Sequence, residues 1–175
     1  RLKGLSSHVV PSEEAAINLL FLGDTNRAVS ETTMNAHSSR SHCIFTISVE
    51  SRPHGATTVR KSKLHLVDLA GRERVKKSEV TGQAFDEACF INNSLTCLGR
   101  CVQALAAAGQ KGAPKPPFRE SKLTRLLSGA FGGRANTALC VCVAPSSSDA
   151  FETLNSLQFG QQAMSVKARL QPRAC

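Results

Sequence analysis

Hydrophobic and polar residues alternate along residues 43–51, and this period of two is typical of a β-strand with one drier face. The two sets are Phe45, Ile47 and Val49 on one side and Ile44, Thr46 and Ser48 on the other. His54 and Gly55 then indicate a turn, and residues 61–71 predict a second strand that runs into an aspartate and a glycine. The carboxyl end of that second strand is a natural place for chemistry in an α/β sheet.

A helical period governs the longest predicted helix, which runs from Asp86 to about Ala108. Its single apolar stripe consists of Ile91, Leu95, Leu98, Val102 and Leu105. Shorter helices are predicted over residues 12–23, 121–131 and 149–166. The first of these is capped by Ser12, and the last carries Phe151, Leu154, Leu157 and Met164 on one side. A loop rich in glycine, proline and lysine, residues 109–117, separates the long helix from the next one.

One apolar run, residues 138–145, shows no alternation, which predicts a strand covered on both faces. No internal repeat and no low-complexity segment interrupts the order of strands and helices. The sequence therefore predicts an α/β fold in which residues 1–175 form one domain, or part of one.

The composition adds limits to this picture. With 41% hydrophobic and 20% charged residues, the chain is typical of an ordinary soluble domain. It contains neither an apolar run near the roughly 20 residues of a membrane span nor a signal-like N-terminus, so a cytoplasmic or nuclear location is expected. The seven cysteines are expected to be reduced and mostly buried, because no Cys-x-x-Cys occurs and cysteine packs as a small hydrophobe.

The charge is strongly basic and is concentrated in one region. The net charge is +9 and the pI is about 9.6, which implies an acidic partner such as nucleic acid, a membrane surface or an acidic protein polymer. Between Gly99 and Ala135 there are seven basic residues and one acidic residue. A basic face is therefore expected there. Nucleic acid is the weaker choice of partner, because the chain has no Tyr or Trp for stacking on bases.

Two polar segments carry candidate chemistry. The loop NAHSSRSH, residues 35–42, brings together hydroxyls that could bind Mg²⁺ or phosphate and an arginine that could pair with a carboxylate. A serine-rich loop of this kind is also a common turn. In LHLVDLAGRE, Asp68 ends a strand and Gly71 follows, as in nucleotide triphosphatases where the aspartate holds the Mg²⁺ shell and the glycine amide approaches the γ-phosphate. Asp-x-x-Gly alone is equally compatible with a strand-ending turn.

Taken in order along the chain, five segments resemble those of the kinesin motor domain over nearly the whole sequence. NAHSSRSH resembles switch I, VDLAGRER resembles switch II, and FINNSLTCLGRCVQAL resembles the long relay helix. PPFRESKLTRLL resembles the microtubule-binding loop and helix, and the segment from FETLNSLQFGQQAMSVK resembles the last helix before the neck linker. The resemblance implies a partial P-loop fold, with a central, mainly β sheet flanked by helices and its N-terminal strands missing.

The resemblance also implies ATP and Mg²⁺ as cofactors and assigns roles to matching positions. The implied nucleotide-binding residues are Asn35, Ser38, Ser39, Asp68 and Gly71, with Ser39 and, through water, Asp68 at the Mg²⁺; the implied catalytic residues are Ser39, Arg40, Gly71 and Glu73. Arg40 would pair with Glu73 and latch the two switches around the attacking water. Loss of the phosphate would release both loops and move the long helix.

The resemblance further implies that the acidic partner is the microtubule, a polymer of tubulin. It also implies that the protein acts on the cytoskeleton of the cytoplasm. The implied contacts are Arg74, Lys77, Arg119, Lys122 and Arg125. Without the resemblance, the last three would favour an ordinary solvated helix face. A microtubule contact of this kind should weaken as salt screens the charges.

Several features depart from the family. The phosphate-gripping loop G-x-x-x-x-G-K-[ST] does not occur, so we expect the chain to start after that loop and to be unable to hydrolyse ATP alone. Arg72 and Cys89 replace a serine and a lysine that the family often has, and residues 167–175, the expected start of a neck or tail, do not resemble a standard neck linker. The alternative function is a kinesin-derived microtubule-binding module without catalysis. A GTPase is disfavoured because the base-reading motif Asn-Lys-x-Asp is absent.

Overall fold

The computed structural model describes residues 5–29, 41–55, 57–71, 83–131 and 135–167. The elements are α1 (Glu13–Val29), β1 (Cys43–Ser51), β2 (Arg60–Asp68), α2 (Gln83–Ala106), α3 (Lys122–Phe131) and α4 (Ala150–Met164). They fall into two compact units, one of Arg1–Val49 with Ser62–Ala70 and one of Glu50–Lys61 with Gly71–Cys175. The chain is thus a mixture of helix and strand, as predicted.

Helix α1 begins where its cap predicts but ends later than predicted. The Ser12 hydroxyl accepts a hydrogen bond from the Ala15 N–H at 3.2 Å, which satisfies one of the free donors of the first turn. The helix then continues past Gly23 to Val29, so the predicted end near Gly23 was wrong. A glycine inside a helix costs only about 1 kcal/mol, and a helix that is otherwise continuous tolerates it.

Strands β1 and β2 form a two-stranded antiparallel sheet close to the predicted positions. Two cross-strand side-chain contacts show the register, Thr46 Oγ1 to His65 Nδ1 at 2.9 Å and Lys61 Nζ to Glu50 Oε1 at 2.6 Å. Gly55 lies in the connecting turn with φ +76°, a conformation that glycine adopts without strain. The predicted alternation holds along part of β1, whereas β2 is exposed along its whole length.

Helix α2 confirms the predicted long helix and gives the second unit its core. It spans Gln83–Ala106, within three residues of the predicted start and two of the predicted end. The largest fully buried side chains on it are Val102, Cys97 and Cys101. The buried stripe is therefore wider than predicted and includes two thiols. Helices α3 and α4 both pack against α2.

Helix α3 packs its own apolar side against that core. It begins after Ser121, whose hydroxyl accepts a hydrogen bond from the Thr124 N–H at 3.0 Å. Leu123 and Leu127 are each 4% exposed, while Leu126 is 44% exposed. The predicted helix is confirmed, and its burial is restricted to the side that meets α2.

The predicted strand over residues 138–145 is not present as a strand in the structure. The segment is irregular, and Leu139 and Val143 are 43% and 52% exposed. A strand covered on both faces needs neighbouring strands and packed layers, and the sheet of the described residues contains β1 and β2 alone. Helix α4 follows, with its apolar residues Phe151, Leu154, Leu157 and Met164 exposed.

The cysteines divide into buried and exposed groups, so the prediction that most are buried holds only in part. Cys97 and Cys101 are buried, Cys43 is half-buried, and Cys140 and Cys142 are exposed; all five are free thiols. Burial raises the pKa of the Cys101 thiol above its ordinary value, because the charged form is disfavoured away from water. Among the described helices, none has the length and apolar character needed to cross a bilayer.

Candidate functional site

The candidate nucleotide site lies at one end of the β1–β2 ladder. Because the strands are antiparallel, the first residue of β1, Cys43, and the last residue of β2, Asp68, lie at the same end of the ladder. The chain therefore enters β1 and leaves β2 side by side. The described ends of the two motif segments, residues 41–42 and 69–70, therefore lie close together.

A histidine ties these two ends to each other. The His42 Nδ1 accepts a hydrogen bond from the Ala70 N–H at 3.0 Å, across 28 residues of sequence. Ala70 is only 4% exposed, so its amide needs a partner inside the protein. Burial lowers the pKa of His42 below 6.5, while the Asp68 carboxylate acts in the opposite direction. The imidazole is therefore neutral near pH 7 and can serve as the acceptor.

Asp68 forms an ion pair that the sequence did not indicate. Its Oδ2 lies 3.5 Å from Arg27 Nη1, and Arg27 Nη2 lies 3.4 Å from Asp24 Oδ1 on the same helix. The Asp68 side chain is 71% exposed, whereas that of Arg27 is 22% exposed. A carboxylate at the end of β2 is thus held by α1 on one side and open to solvent on the other.

Two buried polar atoms make no hydrogen bond among the described residues: Ser41 Oγ, and Arg27 Nη1, which contacts Asp68 only as an ion pair at 3.5 Å. Buried donors of this kind are costly unless something accepts from them. A solvent-exposed carboxylate suits Mg²⁺, and a guanidinium next to it suits a phosphate oxygen. The residues present therefore fit a phosphate-bearing ligand with its metal. No group of three or more metal-ligating side chains occurs within the described ranges.

Many of the predicted site residues lie outside the described residues. These are Asn35, Ser38, Ser39 and Arg40 of the first segment and Glu73, Arg74 and Lys77 of the second. The Arg40–Glu73 latch therefore stays a prediction. Gly71 is described, directly after buried Ala70, and is itself half-buried.

Sequence reasoning missed Arg27 and His42 as members of this site. His42 closes the quoted loop, so its position carried a signal, but its partner could not be found from sequence. Arg27 lies at the end of a helix that was predicted to stop earlier, and nothing near it in the sequence indicated a partner on β2.

The second candidate site is the basic face of α3 and the turn before it. Arg119, Lys122 and Arg125 are exposed, as the predicted stripe requires. The Arg125 Nη2 donates a hydrogen bond to the Arg119 carbonyl oxygen at 3.0 Å, which keeps these two residues close together. Their contact with a partner remains a prediction.

Thr124 holds the turn in front of α3 in place. Its side chain is 1% exposed, and its hydroxyl donates to the Phe118 carbonyl at 3.0 Å and accepts from the Ser121 N–H at 3.3 Å. These bonds fix the turn against the first turn of the helix. The basic residues on both sides of the turn are therefore presented from a defined backbone.

Comparison with known proteins supplies a family for this arrangement. The family model for the kinesin motor domain matches residues 1–166. The chromosome-associated kinesin KIF4 of Xenopus laevis is 43% identical over 168 residues, covering 95% of this chain and 14% of that protein. The kinesin-like protein KIN-14L of Arabidopsis thaliana is 45% identical over 166 residues, covering 95% of this chain and 17% of that protein. The chain thus spans less than a fifth of the length of these curated relatives.

Solved structures agree with the sequence comparison. A fast kinesin, solved in a study of its ATPase mechanism and microtubule interactions, matches with a TM-score of 0.82 at 39% identity, over 97% of this chain and 47% of that one. A KIF14 dimer with AMP-PNP, in complex with a microtubule, matches with a TM-score of 0.83 at 36% identity, over 94% and 46% of the two chains. On sequence and fold together, this chain belongs to the kinesin motor domain family.

Proposed function

We propose that this chain is the nucleotide-switch and microtubule-facing part of an ATP-driven kinesin motor, and that its residues 1–175 form part of a single motor domain. The observation that carries the proposal is the juxtaposition of the start of β1 and the end of β2, tied by the His42–Ala70 hydrogen bond. That geometry supports a site in which the bases of both proposed switch loops share one edge of the sheet. A change at one loop would therefore be felt at the other.

In the nucleotide-binding half, the side chains of the protein would mainly position the nucleotide and the attacking water and neutralise charge. Ser39 would bind Mg²⁺ and the γ-phosphate, Asp68 would hold the metal through water, and the Gly71 amide would sense the γ-phosphate. Arg40 and Glu73 would pair and orient the attacking water, while Asn35 and Ser38 would complete the nucleotide contacts. Mg²⁺ bound with the nucleotide supplies charge neutralisation at the phosphates. The solvent-exposed Asp68 carboxylate and the Arg27 guanidinium next to it support a ligand that combines a cation with phosphate groups.

In the track-facing half, Arg119, Lys122 and Arg125, joined by Arg74 and Lys77, would bind the acidic microtubule surface. The exposure of the first three, above a turn fixed by Thr124, supports this assignment. The protein would accordingly act in the cytoplasm on the microtubule cytoskeleton, with residues 167–175 leading towards a neck or tail.

The sequence contains no G-x-x-x-x-G-K-[ST] loop, so ATP turnover would depend on phosphate-binding residues outside these 175 positions. We expect residues 1–175 alone to be inactive. The same observation favours one second candidate, a microtubule-binding module derived from a kinesin and lacking catalysis.

The proposal is tested in the full-length protein by replacing either partner of the latch, Arg40→Ala or Glu73→Ala. Each variant should lose microtubule-stimulated ATP hydrolysis by about 100-fold or more, because a lost transition-state contact of this kind costs several kcal/mol. Nucleotide affinity should change much less. Arg52→Ala, at an exposed arginine of the β1–β2 turn, is the matched control and should leave turnover unchanged.

Co-sedimentation with microtubules separates the two candidates. A motor should bind more tightly with a non-hydrolysable ATP analogue than with ADP, whereas the binding module should show one salt-sensitive affinity in both states. Full ATP hydrolysis by both latch variants would refute the assigned roles.

A further inference from the structure

An arginine of the long helix reaches the turn in front of α3. The Arg100 Nη2 on α2 lies 2.6 Å from the Glu120 Oε2, close enough for a charge-assisted hydrogen bond. The two side chains are 50% and 46% exposed. The pair therefore stands at the surface of the second unit, where a partner could meet it.

A buried thiol on α2 accepts a hydrogen bond from the same arginine. The Cys97 Sγ, one helical turn before Arg100, accepts a hydrogen bond from the same Nη2 at 3.3 Å and lies 3.8 Å from the Glu120 Oε2. Cys97 is only 1% exposed, so it is a fixed point of the core. The guanidinium is thus anchored to α2 and directed at the Glu120 carboxylate.

Glu120 occupies a sensitive position in the charge pattern. It is the one acidic residue between Gly99 and Ala135, and it follows Arg119 directly and precedes Lys122 by two residues. An uncompensated carboxylate there would sit within the basic stripe that faces an acidic polymer, where like charges repel. An exposed ion pair contributes little to folding stability, so the pair matters chiefly through the charge that it presents.

We propose that Arg100 is a positioning residue of the microtubule-binding surface, which holds the Glu120 carboxylate in an ion pair so that the basic stripe presents no free negative charge. This inference rests on the proposed function and gives a residue of α2 a part in shaping the charge of the track-binding surface on α3. Arg100 acts through Glu120 rather than by a contact of its own with the polymer.

The test is a double-mutant cycle on microtubule affinity, measured by co-sedimentation of the full-length protein at low and at physiological salt. The variants are Arg100→Gln, Glu120→Gln and both together, with Lys111→Gln as a matched removal of one exposed positive charge from the neighbouring loop. Arg100→Gln should weaken binding by about threefold to tenfold, and more than Lys111→Gln does. Adding Glu120→Gln to Arg100→Gln should restore the affinity.

The decisive comparison is the effect of Glu120→Gln in the two backgrounds. With Arg100 present it should change affinity by less than about twofold, because the carboxylate is already paired; in the Arg100→Gln background it should strengthen binding several-fold. Equal strengthening in both backgrounds would mean simple addition of charges and would overturn the inference. If the unaltered protein did not co-sediment at all, the proposed function would fall, and this inference with it.

A charge-swapped pair distinguishes loss of the ion pair from a folding defect in the single variants. Arg100→Glu combined with Glu120→Arg re-forms an ion pair of the opposite sense, and circular dichroism verifies that the variant is folded. Its affinity should lie within about twofold of the unaltered protein. A folded swap that binds as weakly as Arg100→Gln would contradict the masking role.

Discussion

Replacement of Thr124 by valine tests how the basic turn is held in front of α3. The Thr124 hydroxyl donates to the Phe118 carbonyl at 3.0 Å and accepts from the Ser121 N–H at 3.3 Å, from a side chain that is 1% exposed. Valine preserves the shape and removes both bonds and the 2.9 Å hydrogen bond between the Thr124 and Ser121 hydroxyls, which leaves a carbonyl and an N–H short of partners. Each such group costs about 1–3 kcal/mol when water cannot reach it.

Phe118 and Ser121 are half-buried, so water would reach part of what valine exposes. We therefore expect the free energy of unfolding to fall by about 2 kcal/mol in total. Equilibrium urea unfolding measures this loss, and hydrogen exchange should show faster opening of the first turn of α3 than of α2. Microtubule affinity should fall together with the order of the turn.

Thr153→Val is the matched control. The Thr153 hydroxyl makes one bond, to the Ala144 carbonyl oxygen at 3.1 Å, from a half-buried position, so its loss should cost less than about 1 kcal/mol. Thr124→Ser, which keeps the hydroxyl and loses a methyl group, should cost about 1 kcal/mol. If Thr124→Val were no more damaging than Thr153→Val, the turn would not depend on this network and the reasoning would be refuted.

Three further predictions test the packing and the pH response. Burial lowers the pKa of His42 below its ordinary value of 6.5, so the unfolded chain takes up the proton first. The part of the stability linked to His42 should be fully present above pH 6.5 and be lost as the pH falls further, so thermal melting between about pH 5 and about pH 8 should show a smaller loss in His42→Asn. Gly160→Ala would place its Cβ 3.0 Å from the Val141 Cγ2 and should lower the free energy of unfolding by about 1 kcal/mol. Gly23→Ala, which has nothing within 4 Å of the new Cβ, should raise the free energy of unfolding by about 0.5–1 kcal/mol, and urea unfolding measures both changes. Leu127 is 4% exposed, so Leu127→Ala should lower the free energy of unfolding by about 2–4 kcal/mol. Leu126 is 44% exposed, so Leu126→Ala should lower it by less than about 1 kcal/mol. Equal losses in the same assay would contradict the observed packing of α3.

The order and type of most elements could be predicted from the sequence alone. Helix α2, helix α3 and the strands β1 and β2 lie where the periodicity and the caps place them. These signals are local, because a cap or an alternating run acts on residues a few positions away. Two local signals failed, the first because a continuous helix tolerates a glycine and the second because no neighbouring strand among the described residues pairs with the segment. Gly23 did not end α1, and the apolar run over residues 138–145 did not form a strand.

The candidate site was predicted in its residue types and only partly in its contacts. The motif order led to the family, and the exposure of Arg119, Lys122 and Arg125 agrees with the predicted basic face. The contacts of His42 with Ala70 and of Arg27 with Asp68 were not predicted. Each joins segments far apart in the chain, and no periodicity encodes which distant groups will meet.

The sequence by itself determined which faces are apolar, about where most helices and strands begin, and which side chains are candidates for nucleotide and track chemistry. The tertiary structure decided which of those faces are covered and which polar groups pair, including the bond of Arg100 on α2 to Glu120 in the turn before α3. The physical reason is that secondary structure follows from neighbouring residues, whereas burial and ion pairing depend on what the rest of the folded chain brings into contact.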